Sequence, residues 1–304
     1  MSRTRHLVAE LRERLGGAAP VPPPAPLPRI PEPPVRVFPK RAEGSRYARE
    51  TAAHTTALLG IGHVGTRYAT DVVLQFQAEL AVAHEAVHTD LPDDWAAKNG
   101  LVGLRSRVTD HREFLLRPDL GRRLDDMSLA RLKMEAKHGV DVQSILADGL
   151  SAVACMQSGL ALLASFTAAC QARGLSVGTP VVARYARVWL EDEIGAAVGA
   201  KVSAILLGER PGLGTGDGLS AYLVYDPKVG RTDGDRNMMS NIHARGTTPE
   251  VAGDRLAVLA RAMVDQKRSG VDLDLSKLTA ELGDAASRAH RAPQVRVRLV
   301  EVEK

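Results

Sequence analysis

The stretch 201-KVSAILLGERPGLGTGDG-218 decides how this chain is read. Its first eight residues form a short apolar run bounded by glycine, as in a buried strand. The strand opens at its carboxyl end into a glycine-rich loop, the edge at which open α/β sheets bind ligands. The loop has no Lys-Ser/Thr pair, so it is not a nucleotide-binding P-loop. Glu209 and Arg210 at the strand end, with Pro211 stiffening the loop, suit a large polar ligand that needs both acceptors and donors. The alternative is a tight turn with a purely structural role. The glycines' freedom to let backbone approach a ligand, and their place at a strand end, favour binding.

Working outward, further strands are read at 141-DVQSILA-147, 180-PVVARYARV-188 and 220-SAYLVYD-226. Helices at 150–173 and about 190–198 separate the first three strands of this half, an alternation that predicts a parallel sheet with crossover helices. Thr248-Pro249 opens a helix with an N-cap and a proline at the first position, running to Gly270. Asp148 in 147-ADGLSA-152 sits where it can cap the helix after the first of these strands. In 233-DGDRNMMSNIHARG-246, Asp235, Arg236, Ser240, Asn241 and His243 crowd a polar loop. The tail 294-QVRVRLVEVE-303 alternates like a lone added strand.

The part before Gly139 reads as helical. The segment 71-DVVLQFQAELAVAHEAVHTDL-91 is strongly amphipathic, with Leu74, Ala78, Ala81 and Val82 as its buried stripe, and 119-DLGRRLDDMSLARLKMEAKHG-139 reads as a second helix. Residues 1–15 suit a short amphipathic helix, and ten of the seventeen prolines fall between Pro20 and Pro39, an extended linker. The expected division is a helix and proline-rich linker over 1–40, a helical region over 41–139, a ligand-binding α/β domain over 140–270 and an extension over 271–304. The fold class is α/β: a Rossmann-like parallel sheet with crossover helices, preceded by a helical N-terminal region.

Composition excludes several functions. A formal net charge of +4 with basic residues spread along the chain does not suggest nucleic acid or a membrane surface, and 4% aromatics leave little for base stacking. Cys155 and Cys170 share one apolar segment and would lie about 22 Å apart on a helix, too far for a disulfide between them. A reducing cytoplasm fits. The N-terminus carries charges throughout and does not read as a secretory signal. The uncharged run Gly149–Ala172 is long enough to span a membrane, but its glutamines, serines and alanines suit a buried core helix better.

Two motifs point elsewhere. In 84-HEAVH-88, His84 and His88 lie four apart on one helix face and Glu85 stands beside the first, the pattern of a zinc hydrolase whose glutamate activates a metal-bound water. A third ligand is needed, and Glu113, in the strand-like 112-REFLLR-117, is at a suitable sequence distance. The other reading is two exposed helix histidines. The string 60-GIGHVG-65 matches GxGxxG but follows a helix-like stretch, not the strand that a dinucleotide site requires.

Taken in order, "DGLS", "ARVWLEDEIG", "LLGERPGLGTGDGLSAYLVYDP" and "DRNMMSNIHARGTTP" resemble the small subunit of ethanolamine ammonia-lyase. Upstream, "LPDDWAAKNGLVGLRSRVTDHREFLLRPDLGRRL" is similar to the same family's middle region, and the resemblance runs from about Ala57 to Gly270. It implies an enzyme that uses adenosylcobalamin to convert ethanolamine to acetaldehyde and ammonia. The cobalt–carbon bond breaks homolytically, the deoxyadenosyl radical abstracts a hydrogen, and the amino group migrates and leaves. A large partner subunit, a barrel, would hold the small amino-alcohol substrate and the catalytic groups, with the small subunit closing over the cobalamin in a hetero-oligomer. By motif, the cofactor contacts fall at Val188, Glu209 and Met238. None of the nine histidines sits in the D-x-H-x-x-G string of carriers that displace the cofactor's own base, so base-on binding is expected.

The chain departs from the family pattern at Met238, where cysteine is usual, at His63, where arginine is usual, and at Glu79-Leu80, where an aspartate-histidine pair is usual. The expected location is the cytoplasm, inside a bacterial microcompartment or free. Beside the lyase stand two alternatives: a zinc hydrolase built on His84, Glu85 and His88, and a non-catalytic family member that regulates or scaffolds its partner.

Overall fold

The computed structural model describes residues 63–276 and 278. The expected helix over 1–15, the proline linker, residues 60–62 of the glycine string and the strand over 294–303 lie outside them. A two-stranded hairpin, β1 (His63–Val64) and β2 (Arg67–Tyr68), turns at Gly65 (φ 62°) and leads into α1 (Thr70–His88). There follow α2 (Trp95–Lys98), β3 (Val102–Arg105), α3 (His111–Leu116), a 3-10 turn (Leu120–Arg122), α4 (Asp126–Glu135) and β4 (Val142–Ala147). The second half runs α5 (Ala152–Ala172), β5 (Val181–Arg184), α6 (Leu190–Val198), β6 (Val202–Gly208), β7 (Leu219–Tyr225), β8 (Arg236–Ile242) and α7 (Pro249–Gln266).

The main sheet has the order β3-β5-β4-β6-β7-β8. Its first four strands are parallel, β7 adds antiparallel to β6, and β8 pairs antiparallel to β7 and so runs in the direction of the first four. All six residues of β4 are buried, as befits a parallel strand covered on both faces. Alternate residues divide between two cores. Leu146, Val202 and Leu206 face α5 and α7 through Leu162, Phe166, Leu256 and Met263, whereas Ile145, Val181 and Ile205 face α4 and α6 through Leu132, Ile194 and Val198. The α/β class with parallel strands and crossover helices is therefore present.

The helices after β4 follow the sequence closely. Thr248 caps α7 by accepting from Val251 N–H, and Pro249 takes the first turn. α5 is the one described helix long and apolar enough to cross a membrane, and its Leu162, Phe166 and Cys170 face is buried in the core. It widens through a π turn at Cys155–Gly159, where a side chain on Gly159 would come 2.7 Å from Leu146.

Several expectations are corrected. The stretch read as strand-like at 112–117 is helix α3, because Asp110 caps it by accepting from Glu113 N–H while Glu113 accepts from Thr109 N–H. The long helix expected over 119–139 shortens to a 3-10 turn and α4, which starts where Asp125 accepts from Ser128 N–H. Ahead of both, the region read as helical supplies β3, the outer parallel strand. Ser128 Oγ accepts its Arg105 N–H, so α4 covers the strand's open edge. The strand read through 188 stops at Arg184, since Tyr185 takes a left-handed turn (φ 54°). The stretch read as a polar loop over 233–246 contains β8.

On α1 the buried residues are Val72, Glu79, Ala83 and Ala86, whereas all four of the expected stripe, Leu74, Ala78, Ala81 and Val82, are exposed. The helix meets the start of α5 and the loop around Gly216, where a side chain on that glycine would come 3.4 Å from Val82 and 3.9 Å from Ala86. Contact geometry, not apolarity, chose the buried face.

Candidate functional site at the carboxyl edge

The loops after β4, β5 and β6 meet at one edge of the sheet. Gly149 (φ 55°) and Gly208 form the seam: a side chain on Gly149 would strike Gly208 O, and one on Gly208 would strike Asp148 O and Ser151 O. Leu150 N–H donates to Gly208 O at 3.0 Å across it. The cap of α5 is Ser151, which accepts from Ala154 N–H and donates to Gly216 O at 2.9 Å, tying the glycine-rich loop down. Asp148, expected as that cap, instead accepts from Tyr185 N–H at 2.8 Å and Ala186 N–H at 3.2 Å, fixing the turn after β5. Burial pushes its carboxyl up to about 6 despite these bonds.

Glu209 is placed by its backbone, whose N–H donates to Gly218 O at 2.9 Å, and by its side chain. Its Oε1 accepts from Ser220 Oγ–H and from Asn241 N–H, while among the described residues no hydrogen bond reaches Oε2. Asn241 holds its left-handed turn (φ 60°) against buried His243. Arg245 N–H donates to His243 Nδ1, so the Nε2–H donates to Asn241 Oδ1 at 2.7 Å. Burial lowers the His243 pKa, keeping this ring neutral and its tautomer defined.

Val188 is half-buried at the edge of the α6-side core, and Tyr222 of β7 packs on that same face. Met238, 51% exposed on β8, pairs with Tyr222 across the strands. Val188, Tyr222 and Met238 thus share one side of the sheet. Burial, with the charges of Glu209, Asp233 and Glu191 nearby, holds the Tyr222 phenol above its usual range. Beneath them, Arg236 locks β8 to the start of α6: its guanidinium donates to Glu191 at 3.0 Å and to both oxygens of Asp192 at 2.9 and 2.7 Å. Trp189, between Val188 and this triad, donates from its indole N–H to Asp233 at 2.7 Å. The resulting arrangement is an open shelf with an apolar floor and one unpaired acceptor at its rim. Tyr222 and Ser220 escaped the sequence reading, because strand alternation does not tell which part of a face the helices leave uncovered.

The other motifs do not converge. His84, Glu85 and His88 are exposed on α1, and among the described residues no three His, Cys, Asp or Glu side chains are grouped to hold a metal. Glu113, the nominated third ligand, is occupied in capping. The last glycine of 60-GIGHVG-65 lies in the β1–β2 hairpin turn, not between a strand and a helix. A cavity of about 300 Å³ lies by β3, lined by Leu91, Trp95, Arg105, Met127 and Arg184 among others, and none of Val188, Glu209 or Met238 borders it.

Comparison with known proteins identifies the family. Residues 46–274 match the family described as ethanolamine ammonia-lyase light chain (EutC). The ethanolamine ammonia-lyase small subunit of Fusobacterium nucleatum subsp. nucleatum is 39% identical over 235 residues, covering 77% of this chain and 78% of that one. The chain belongs to the ethanolamine ammonia-lyase light-chain family.

Proposed function

We propose that this chain works with a large subunit as an adenosylcobalamin-dependent ethanolamine ammonia-lyase, and that its carboxyl edge forms one wall of a base-on corrinoid site between the two. The observation that carries this reading is the shelf: Val188 and Met238 offer apolar surface, and Glu209, braced through Oε1, keeps Oε2 as an acceptor. A corrinoid has a flat apolar macrocycle and amide side arms, and those residue types suit both. When bound, adenosylcobalamin supplies the radical that starts the conversion of ethanolamine to acetaldehyde and ammonia.

This chain's own residues bind and orient. Ser220 and Asn241 aim the Glu209 carboxylate, neutral His243 fixes Asn241, and the Arg236 triad holds β8 at a set height beneath Met238. In this reading no side chain of this chain makes or breaks a bond, and the catalytic groups belong to the large subunit.

The test is to purify the two-subunit complex in the dark and titrate it with cobalamin, following absorbance. Wild type should retain the corrinoid. Glu209→Ala should weaken its affinity about tenfold, the worth of one hydrogen bond to a charged acceptor. Unchanged affinity would remove Glu209 from the site. A complex that assembles but neither holds corrinoid nor turns over ethanolamine would identify a non-catalytic light chain instead.

A further inference from the structure

Three strand-end loops each deliver one arginine to the carboxyl edge. Arg122 comes from the 3-10 turn beyond β3, Arg187 from the turn after β5, and Arg210 from the residue pair that follows β6. The first two turns are locked backbone to backbone. Arg187 N–H donates to Gly121 O at 2.8 Å, and a side chain on Gly121 would come 2.7 Å from Arg187 Cγ.

Two of the guanidinium groups, those of Arg187 and Arg122, are held on aromatic rings. Arg187 lies 4.1 Å over the Phe114 ring and donates one N–H to Phe114 O at 2.7 Å, while Arg122 lies 4.3 Å over the Trp189 ring. Arg187 Nε is buried and has no hydrogen-bond partner among the described residues. Among the described residues none of the three arginines forms an ion pair, whereas the adjacent Arg123 has Glu193 at 2.8 Å. Burial and the neighbouring charges of Arg122 and Arg210 push the Arg187 pKa down, so the three cations sense one another. The charge of Asp148 acts on Arg187 in the opposite sense, yet both its carboxyl oxygens are already taken by backbone N–H groups and burial raises its pKa to about 6. Cations gathered in this way repel unless an anion joins them, and a buried unpaired N–H adds to the demand.

We infer that Arg122, Arg187 and Arg210 form an oxyanion site that takes the phosphodiester of the corrinoid's nucleotide arm. The assignment rests on the corrinoid reading above and extends it. Arg187 and Arg210 directly neighbour Val188 and Glu209 in sequence, so the anion site and the amide-and-macrocycle site belong to one rim. The guanidinium fork matches phosphate oxygens, and the phosphodiester is the one fixed anion that a base-on corrinoid carries.

The experiment compares cyanocobalamin with dicyanocobinamide, which lacks the nucleotide arm, by absorbance titration of the two-subunit complex. Arg187→Gln should weaken cyanocobalamin about tenfold and leave dicyanocobinamide unchanged. Arg210→Gln, on an exposed side chain, should show the same selectivity and does not depend on folding around Arg187. Equal losses for both corrinoids, or no loss for either, would overturn the assignment. Inorganic phosphate that raises the thermal midpoint of wild type but not of Arg187→Gln, with no corrinoid selectivity, would also overturn it and leave a separate phosphate site. If wild type binds neither corrinoid, the cofactor reading itself falls and this assignment with it.

Discussion

Asp141, at the start of β4, shows how a single carboxylate is put to structural use. It accepts from Lys201 Nζ at 2.8 Å and from Ser176 N–H and Oγ–H at 2.9 and 2.8 Å. Burial raises its pKa, but the bonds from Lys201 and Ser176 outweigh burial and leave it at about 2. Because this lies below the usual 3.8, the stability it lends is complete above about pH 4 and is lost as pH falls through about 2. Asp141→Asn should lower unfolding free energy by about 2 kcal/mol at neutral pH, and the gap should close toward the acid limit. Urea titrations at both ends check this; an equal gap at each would assign the effect to geometry and not to charge. The candidate site is legible at this scale only where the signal is local. Glu209 stands out because a charged residue directly follows an apolar strand and precedes a glycine-rich loop. Asp148 misleads because both it and Ser151 are cap-type residues, and the choice between them depends on N–H groups of a distant turn.

At the scale of elements, β8 is the strand that sequence pattern hides. Its residues 236-RNMMSNI-242 are mostly polar and resemble a loop, yet their polar groups are spoken for by other elements. Arg236 pairs with Glu191 and Asp192 of α6, and Asn237 exchanges hydrogen bonds with the backbone of Gly270. Burial pushes the Glu191 carboxyl well up, while the bonds to Asp192 and the charges of Glu191 and Asp192 hold the buried Arg236 guanidinium above its usual range. Removing the cation strands the carboxylates, a change that typically costs about 3–5 kcal/mol. Arg236→Ala should therefore destabilise by about 3 kcal/mol or more, and adding Asp192→Asn should return part of it. A loss below about 1 kcal/mol in denaturant unfolding would show that strand pairing alone seats β8. The long α5 and the capped α7 were legible because apolar periodicity and Thr248-Pro249 are local signals. The short β3 and α3 were not, because edge cover from Ser128 and the Asp110 cap decide them.

For the whole molecule, the layers distribute stability unevenly. β4 is buried along its full length and β6 nearly so, between two cores, whereas α1 buries only Val72, Glu79, Ala83 and Ala86 of its nineteen residues. One of those, Glu79, carries a buried Oε2 without a partner among the described residues, which weakens the seat further. The sheet's alternation was readable from the sequence because strands buried on both faces give continuous apolar runs. The seat of α1 was not, since the stripe Leu74, Ala78, Ala81 and Val82 that periodicity ranks first is exposed and the buried positions are Val72, Glu79, Ala83 and Ala86. This asymmetry sets an order of opening. In the isolated chain, amides of β4 and β6 should exchange with solvent only through global unfolding, while those of α1 should exchange through a local release of that helix. Hydrogen-exchange measurements at increasing low denaturant separate the two cases. The β4 and β6 amides should respond with the full denaturant slope, and the α1 amides should show a smaller slope and faster exchange. If α1 shared the slope and rate of β6, the helix would be part of the cooperative core, and its thin contact with α5 and the glycine-rich loop would be stronger than its burial indicates.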